Sequence, residues 1–527
     1  MKARWATFPR AAQRLVVLGL CLFFAVGAVR ASELAALRSA AATITAHRLQ
    51  RHVDVLADDA FEGREGGSRG GRAAAVYLMK CFEQCRLSGG AGDGGYFQPF
   101  GAEYRNVLAW VEGSDPRLAR EVVIFSAHYD HVGYGNAVNS NGPTGYIHNG
   151  ADDNASGTAA LLEVVQALTQ LPARPRRSIL VALWDGEEKN LLGSRHWVEH
   201  PTVPLRDVVL MINLDMVGRL RGQRLEVIGS RTAAGLREAV SRANEEVGLE
   251  LDFLWELKQN SDHHTFYSRQ VPVVMLHTGL HEDYHRPSDD AHKVNAEGMQ
   301  RITRLAFHAV WEAANRPQRF AFRPQALYES VASRQQFEQQ LPPLPPRLGV
   351  FFGPPLADRP GLHLTGVSAG SAADLAGLRV GDRLLALAGR PLLDAAALRT
   401  VALAAAGTLE LEIAREGADE PLNVQLEPSG NPIRLGITWR ENDAEPGAVT
   451  VVRVVPGSPA DRAGLKWRDR IYEVSGQRFA NSQEFLALVS PPPATLPLRL
   501  ERAGRLQSVV IDTALPEAAA LGSPSVP

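Results

Sequence analysis

An α/β fold with a mostly parallel sheet and helices on both faces, followed by two small β-rich repeats, is predicted by three features of the chain. Short β-branched apolar runs (EVVIFSAH, SILVALW, VVLMINL and VPVVMLH) alternate with helical stretches as far as Asn315, the pattern of buried strands joined by helical crossovers. Beyond a proline-rich stretch, GSAADLAGL from Gly370 returns as GSPADRAGL from Gly457; Leu348, Gly377 and Asp382 likewise return at Leu435, Gly464 and Asp469, each 87 positions on. At 527 residues and 45% hydrophobic content, the chain exceeds a single core and suggests three domains.

The first segment is read as a targeting sequence. MKARWATFPRAAQR is basic, LVVLGLCLFFAVGAV has the length of a signal h-region, and Val29-Arg30-Ala31 offers a small-residue cleavage site before Ser32. Residues 1–31 are therefore expected to be a signal peptide, and the mature chain to be periplasmic or secreted, with an uncleaved anchor as the alternative. Leu20 before Cys21 fits a lipoprotein poorly, and no later segment offers the long apolar run of a membrane span. Cys81 and Cys85 then remain; their i, i+4 spacing on a predicted helix leaves a strained disulfide and two ordinary thiols both open. A formal charge of −2 without a Lys/Arg block gives no case for nucleic acid.

Five metal-binding side chains accompany the apolar runs. His128, Glu188, Asp215 and His285 each come at or after the end of a predicted strand, whereas Asp153 sits in the loop NGADDNASG that opens the helical run TAALLEVVQAL. Ligands of parallel α/β sheets bind beyond the carboxyl ends of the strands, so these side chains are expected to converge on one crevice. Two imidazoles and three carboxylates without cysteine suit zinc or another borderline divalent ion. Five ligands are one too many for a tetrahedral ion, but one bridging carboxylate gives each of two ions three protein ligands and an open position for water. Asp153 is the favoured bridge because flanking glycines permit close approach, with Asp152 as its rival. Glu187, next to Glu188 in WDGEE, is the candidate proton acceptor.

The segments AHYDH, GADDNASG, WDGEEKNLLGS, INLDMVG, SDHHTF and DYHRPSDD resemble, in order and spacing, the co-catalytic di-zinc peptidases that include bacterial leucyl-type aminopeptidases and glutamate carboxypeptidase II. The resemblance spans about residues 45–315. It implies a zinc exopeptidase-like fold, one zinc on His128, Asp153 and Asp215, and a second on Asp153, Glu188 and His285. It further implies that Glu187 is the general base, that Asp130 orients His128, and that Tyr284 hydrogen-bonds the tetrahedral intermediate. Asp262 and His263 are candidates for the substrate pocket, and Asp289-Asp290 for support of His285 or a helix cap. His131, His148, His277 and His281 are read as loop or wall residues. The sequence departs from the family in the insertion VGYGNAVNSNGPTGYIHN between His128 and Asp153, which is expected to form a rim or lid.

The boundaries follow from composition: residues 32–316 form the peptidase domain and 317–347 a linker whose LPPLPPR favours an extended, semi-rigid spacer. The repeats, 348–429 and 430–515, resemble PDZ domains, with a tail at 516–527. Such domains add a partner's C-terminal segment as a strand and capture its carboxylate on an LGx loop, here Leu348–Val350 and Leu435–Ile437. The first copy is the better candidate binder. The second has Trp467-Arg468-Asp469 where the first has Val380-Gly381-Asp382, and loss of that glycine is expected to reshape the turn.

The function implied is an exported di-zinc exopeptidase, foremost an aminopeptidase on peptide substrates, with PDZ-like recruitment. The alternatives are a carboxypeptidase or amidohydrolase on the same metals, for which Arg219, Arg286 or Lys258 would supply a cation, and a binding protein on an inactive scaffold.

Overall fold

The computed structural model describes residues 31–354, 359–392 and 394–514. Residues 1–30 of the leader expected at 1–31, and the tail expected at 516–527, lie outside them. The chain divides between Glu329 and Ser330 into two compact units.

The first unit is built on nine strands: β1 Ser88–Gly89, β2 Phe97–Phe100, β3 Tyr104–Val111, β4 Val122–His128, β5 Ser178–Trp184, β6 Val208–Leu214, β7 Arg224–Ile228, β8 Glu250–Leu254 and β9 Val273–His277. They lie in the order β1-β3-β5-β4-β6-β9-β7-β8, with β2 against β3. The four central strands β5, β4, β6 and β9 are parallel. Antiparallel pairing enters where β3 joins β5 and where β7 joins β9. His128 pairs in register with Trp184, and Leu214 with Leu276, so the carboxyl ends of the central strands finish side by side.

Strand side chains alternate between two cores. Val123, Phe125 and Ala127 of β4 and Ile179, Val181 and Leu183 of β5 pack with the helices Ala46–Leu56, Arg69–Gln84, Gly157–Thr169 and Ala296–Asn315. Val122 and Ile124, with Leu180, Ala182 and Trp184, face Trp197, Val198, Phe266 and Tyr267 of two shorter helices. Each large side chain so buried contributes roughly 1.5–3 kcal/mol. The helix Gly157–Thr169 is buried almost all round, in keeping with its largely apolar sequence, and its buried Glu163 pairs with Arg48 at 2.7 Å. Cys81 and Cys85 are free thiols; Cys85 Sγ lies 3.5 Å from Gln166 Oε1, and burial pushes the Cys81 thiol up to about 11.

The stretch read as a linker is divided between the units. Phe320 enters the first core, the Arg323 amide donates to Thr232, and Arg231 makes a two-toothed pair with Glu329 at 2.7 Å. From Ser330, which caps the helix Val331–Phe337, the chain belongs to the second unit.

That unit holds two six-stranded antiparallel sheets of the same order. Strands Leu362–Val367 and Arg383–Leu387 recur at Val449–Val454 and Arg470–Val474. Core positions recur too: Leu364, Leu378, Leu384 and Leu398 in one sheet answer to Val451, Leu465, Ile471 and Phe485 in the other. Asp382 is gripped by Arg415 at 2.8 and 2.7 Å, and Asp469 by Arg502 at 2.7 and 2.6 Å. The second turn is not reshaped by its missing glycine, because Arg468 takes the left-handed conformation at φ 73° where Gly381 has φ 94°. The Arg468 guanidinium also reaches Glu338 at 3.0 Å.

Glu338 ties the preceding segment to the second repeat. It is 1% exposed and pairs with Arg470 at 2.7 Å, and Arg470 also pairs with Glu445 at 2.8 Å. The Trp467 indole donates to the Glu338 carbonyl and the Leu341 amide to Val452. The start of the proline-rich stretch is thus docked rather than free. Despite burial, Arg470 and Arg334 hold the Glu338 carboxyl down to about 2. Because its folded pKa is depressed, the contribution of Glu338 to stability is present above the unfolded value near 4.5 and is lost as pH falls from there toward 2. Arg470→Met strands buried carboxylates and should cost roughly 3–5 kcal/mol. Hydrogen exchange of the 449–474 amides at neutral pH should accelerate at least about 100-fold in that variant, and in wild type as pH is lowered once intrinsic rates are corrected; unchanged protection would show that the cluster holds nothing.

Candidate functional site

The parallel strands deliver the site. His128 is the last residue of β4, Asp215 follows β6, Glu187 and Glu188 follow β5 across the turn Asp185-Gly186, and His285 lies on the loop after β9. Asp153 comes from the loop that opens the helix at Gly157. A side chain at Gly150, whose φ is 53°, would collide with the Asp153 carbonyl and the His131 ring, so this loop packs closely only as glycine.

Asp153 stands between two groups. Its Oδ1 is 3.4 Å from His128 Nε2, which is itself 3.5 Å from Asp215 Oδ1. Its Oδ2 is 3.2 Å from His285 Nε2, which is 3.0 Å from Glu188 Oε2. The sequence-predicted set therefore comes together as two clusters sharing one carboxylate. His131 adds itself to the second: Nδ1 lies 2.8 Å from Glu188 Oε1 and 3.8 Å from Asp153 Oδ2. It is not a simple wall residue, whereas His148 bonds Ser140 and Tyr146 within its own loop, His281 faces Asp152 at 3.2 Å and His277 faces Glu226 at 3.5 Å.

Supporting groups fix the ligand backbone. The Asp130 carboxylate accepts the Glu187 amide at 3.0 Å and the Glu188 amide at 3.4 Å, and its carbonyl is 3.3 Å from His128 Nδ1. It holds the glutamate turn as well as facing the histidine. Asp289 Oδ2 accepts the amides of Asp152 and Asp153 at 2.9 and 3.1 Å, and its Oδ1 pairs with Arg219 at 3.0 Å. Asp289 thus supports the shared carboxylate rather than His285. Asp152, the rival bridge, is occupied by Ser156 Oγ and the Gly218 amide.

Arg64 joins these supporting groups without any of the motifs marking it. It is 1% exposed and donates to the carbonyls of Leu56, Tyr129, Asn149 and Gly150 at 2.6 to 2.9 Å. One cation therefore knits the loop of His128–His131 to the loop of Gly150–Asp153. Burial lowers its pKa to about 10, with Asp153 and Asp130 opposing, so it stays charged at neutral pH. The only signal in sequence was an arginine between glycines in FEGREGG, and Gly63 is needed there because a Cβ would strike the Gly133 and His148 carbonyls.

The electrostatics follow from burying many carboxylates together. Burial raises the Glu187 carboxyl well above the usual range; Glu188 and Asp262 add to the shift and His128 opposes it. Burial opposes the charged form of His285, but Asp153 and Glu188 carry its pKa up to about 11. The Tyr284 phenol is pushed up by burial and the surrounding carboxylates, and its ring stacks on His285 at 3.9 Å. Asp262 and His263 are fully buried without hydrogen-bond partners for their side-chain polar atoms. Burial brings Asp262 to about 7 and His263 down to about 3.

The donor set fits a borderline divalent cation. Ligand atoms of the groups His128, Asp153, Asp215 and His131, Asp153, Glu188, His285 lie within 4.8 Å of one another. His285 Nε2 is buried between carboxylates without hydrogen-bond geometry, directed into the space they surround. Ligands about 2.0–2.2 Å from a tetrahedral zinc stand roughly 3.3–3.5 Å apart, near the separations found here.

Residues 106–310 match the model for peptidase family M28, and residues 363–415 and 450–502 match that for the PDZ domain. The chain thus carries a peptidase domain of family M28 and two PDZ domains. It is 28% identical over 207 residues to aminopeptidase YwaD of Bacillus subtilis (37% of this chain, 42% of that protein). It is 25% identical over 254 residues to leucine aminopeptidase 2 of Trichophyton rubrum (42% and 46%), and 44% identical over 118 residues to a probable glutamate carboxypeptidase, LAMP1, of Arabidopsis thaliana (22% and 15%). The chain spans less than half the length of each of these relatives. Among solved structures, BSAP, a zinc aminopeptidase from Bacillus subtilis, aligns with TM-score 0.43 at 16% identity over 52% of this chain and 96% of that one.

Proposed function

We propose that this chain is an exported metallo-aminopeptidase holding two zinc ions, with its first PDZ domain recruiting C-terminal peptide segments. The observation that carries the metal reading is Asp153, whose two carboxylate oxygens face different histidines. His128, Asp153 and Asp215 would hold one ion; Asp153, Glu188 and His285 would hold the other. When bound, zinc would polarise the scissile carbonyl and acidify water. Glu187, its backbone amide held by Asp130, accepts the proton of the attacking water and returns it to the leaving amine. Tyr284 keeps its phenolic proton and donates a hydrogen bond through it to the oxyanion of the tetrahedral intermediate. Export rests on the basic and apolar leader before Ser32; among the described residues no helix is long and apolar enough to cross a membrane.

The amino end is favoured over the carboxyl end by the state of the three cations available to a carboxylate. Arg219 is held by Asp283 and Asp289, Arg286 donates to the Gly142 carbonyl, and Lys258 faces Glu256 at 3.6 Å. The crevice is otherwise rich in carboxylates, which suit a substrate ammonium. One preparation tests this reading. Exported protein should begin at Ser32 and hydrolyse peptides with a free α-amine, tolerate C-terminal amidation and fail on acetylated N-termini; the reverse preference would establish a carboxypeptidase. Glu187→Gln should keep its zinc and lose about 10²–10⁴-fold in turnover, whereas Glu188→Gln should lose zinc as well.

The two PDZ domains differ at the groove. In the first, the Leu348–Phe352 segment and the helix Ala395–Ala404 flank a cavity of about 560 Å³ lined by Leu348, Val350, Phe352, Leu398 and Leu403. In the second, Trp439, equivalent to Phe352, crosses from strand to helix, donating to Ser482 Oγ at 2.7 Å and packing edge-on to Phe485. The first groove is accordingly the proposed peptide site. Val350→Asp, at a partly buried position of the cavity lining, should abolish binding of apolar C-terminal peptides there and weaken apparent affinity for long substrates that carry them, leaving turnover of short substrates unchanged; peptide binding that survives it would assign recruitment elsewhere.

A further inference from the structure

The insertion between His131 and Gly150 does more than rim the crevice. Its base is closed by backbone bonds from Gly133 to Gly63, from His148 to Gly133 and from Gly145 to Tyr134. Ser140 is fixed by His148 Nε2 at 2.7 Å. From this base the tip reaches the loop that carries His285. The Asn141 amide donates to the His285 carbonyl at 2.9 Å, and the Asn141 side chain donates to the Tyr284 carbonyl at 3.0 Å. Arg286 returns a bond to the Gly142 carbonyl at 3.0 Å. The insertion therefore bonds both peptide units flanking His285 and is bonded by the residue after it.

That grip falls on a residue that needs it. His285 occupies the left-handed region at φ 52°, which a non-glycine residue keeps only when its surroundings specify it. It also comes from a loop rather than from a strand end, unlike His128, whose backbone is fixed by the β4 and β5 pairing. We propose that the insertion is a strap serving one side of the metal site, with Asn141 as a positioning residue that sets His285 for the ion shared with Asp153 and Glu188. The inference rests on the two-zinc reading above and gives it an asymmetry: the ion on His285 depends on the strap, whereas the ion on His128 does not. Supporting contacts of this kind typically change metal affinity by about 10–100-fold.

The test is zinc affinity, read by stepwise competition with a chromophoric chelator on the full chain. The Gly145 amide lies 3.4 Å from the Gly135 carbonyl, so residues 136–144 can be replaced by a two-glycine link with little displacement of the base. The excised protein should release one zinc per chain at a chelator concentration at least about tenfold lower than wild type, and the other at an unchanged concentration. Asn141→Asp, which matches the side chain in shape but turns a carboxylate oxygen toward the Tyr284 carbonyl, should shift the same ion at least as far as Asn141→Ala. A role in packing alone would leave Asn141→Asp like wild type and would overturn the proposal. Unchanged affinity of both ions in the excised protein would also overturn it, as would equal weakening of both. Wild type that binds only one zinc would instead overturn the two-zinc reading itself, before any variant is compared.

Discussion

Buried negative charge is the constraint on which this molecule turns. Asp130, Asp153, Glu187, Glu188, Asp215 and Asp262 interact within one crevice, and carboxylates withdrawn from water persist as charges only where cations meet them. Arg64 is one such cation, permanently charged and coordinated by four carbonyls. The histidines supply the rest. Burial opposes a proton on His285, but Asp153 and Glu188 hold it there up to about pH 11. His128 is raised in the same way: Glu187 and Asp215 favour its charged form against burial. Protons on these rings occupy a field suited to divalent ions, and metal binding would displace them.

Such a field is useful only if the ligands cannot move apart to relieve it. The parallel centre of the sheet fixes His128 and Asp215, because β4 and β6 are hydrogen-bonded along their length and their ends are in register with neighbours. The loop ligands are held by polar groups instead: Asp289 on the amides of Asp152 and Asp153, Asp130 on the amides of the glutamate turn, and Arg64 across the loops. Each bond satisfies a backbone group that burial would otherwise leave unpaired, so positioning and folding are stabilised by the same contacts.

The central strands and the convergence of the polar side chains beyond them were legible because alternation of apolar and helical runs is a local signal and the polar residue after each strand is conspicuous. The two copies of the small domain were legible from an ungapped offset, down to the Asp382 and Asp469 positions that each hold an arginine. Four features escaped for physical reasons. Arg64 acts through carbonyls supplied by residues far along the chain, and carbonyls carry no sequence identity. His131 and its bond to Glu188 depend on the path of the insertion, which has no periodicity. At Arg468 the expected reshaping did not occur, since neighbouring contacts with Glu338 and Trp467 accompany a left-handed conformation that sequence alone assigns to glycine. The segment read as a spacer likewise concealed a capped helix and a buried glutamate, because the partner of Glu338, Arg470, lies in the second repeat.

The central claim is that one carboxylate is shared between two cations. Diffraction from zinc-loaded crystals recorded above and below the zinc absorption edge tests it most directly. The account predicts two anomalous peaks per chain, one on either side of the Asp153 carboxylate, the first against His128 and Asp215 and the second against Glu188 and His285. A single peak, or a second peak outside the reach of Asp153, would contradict it.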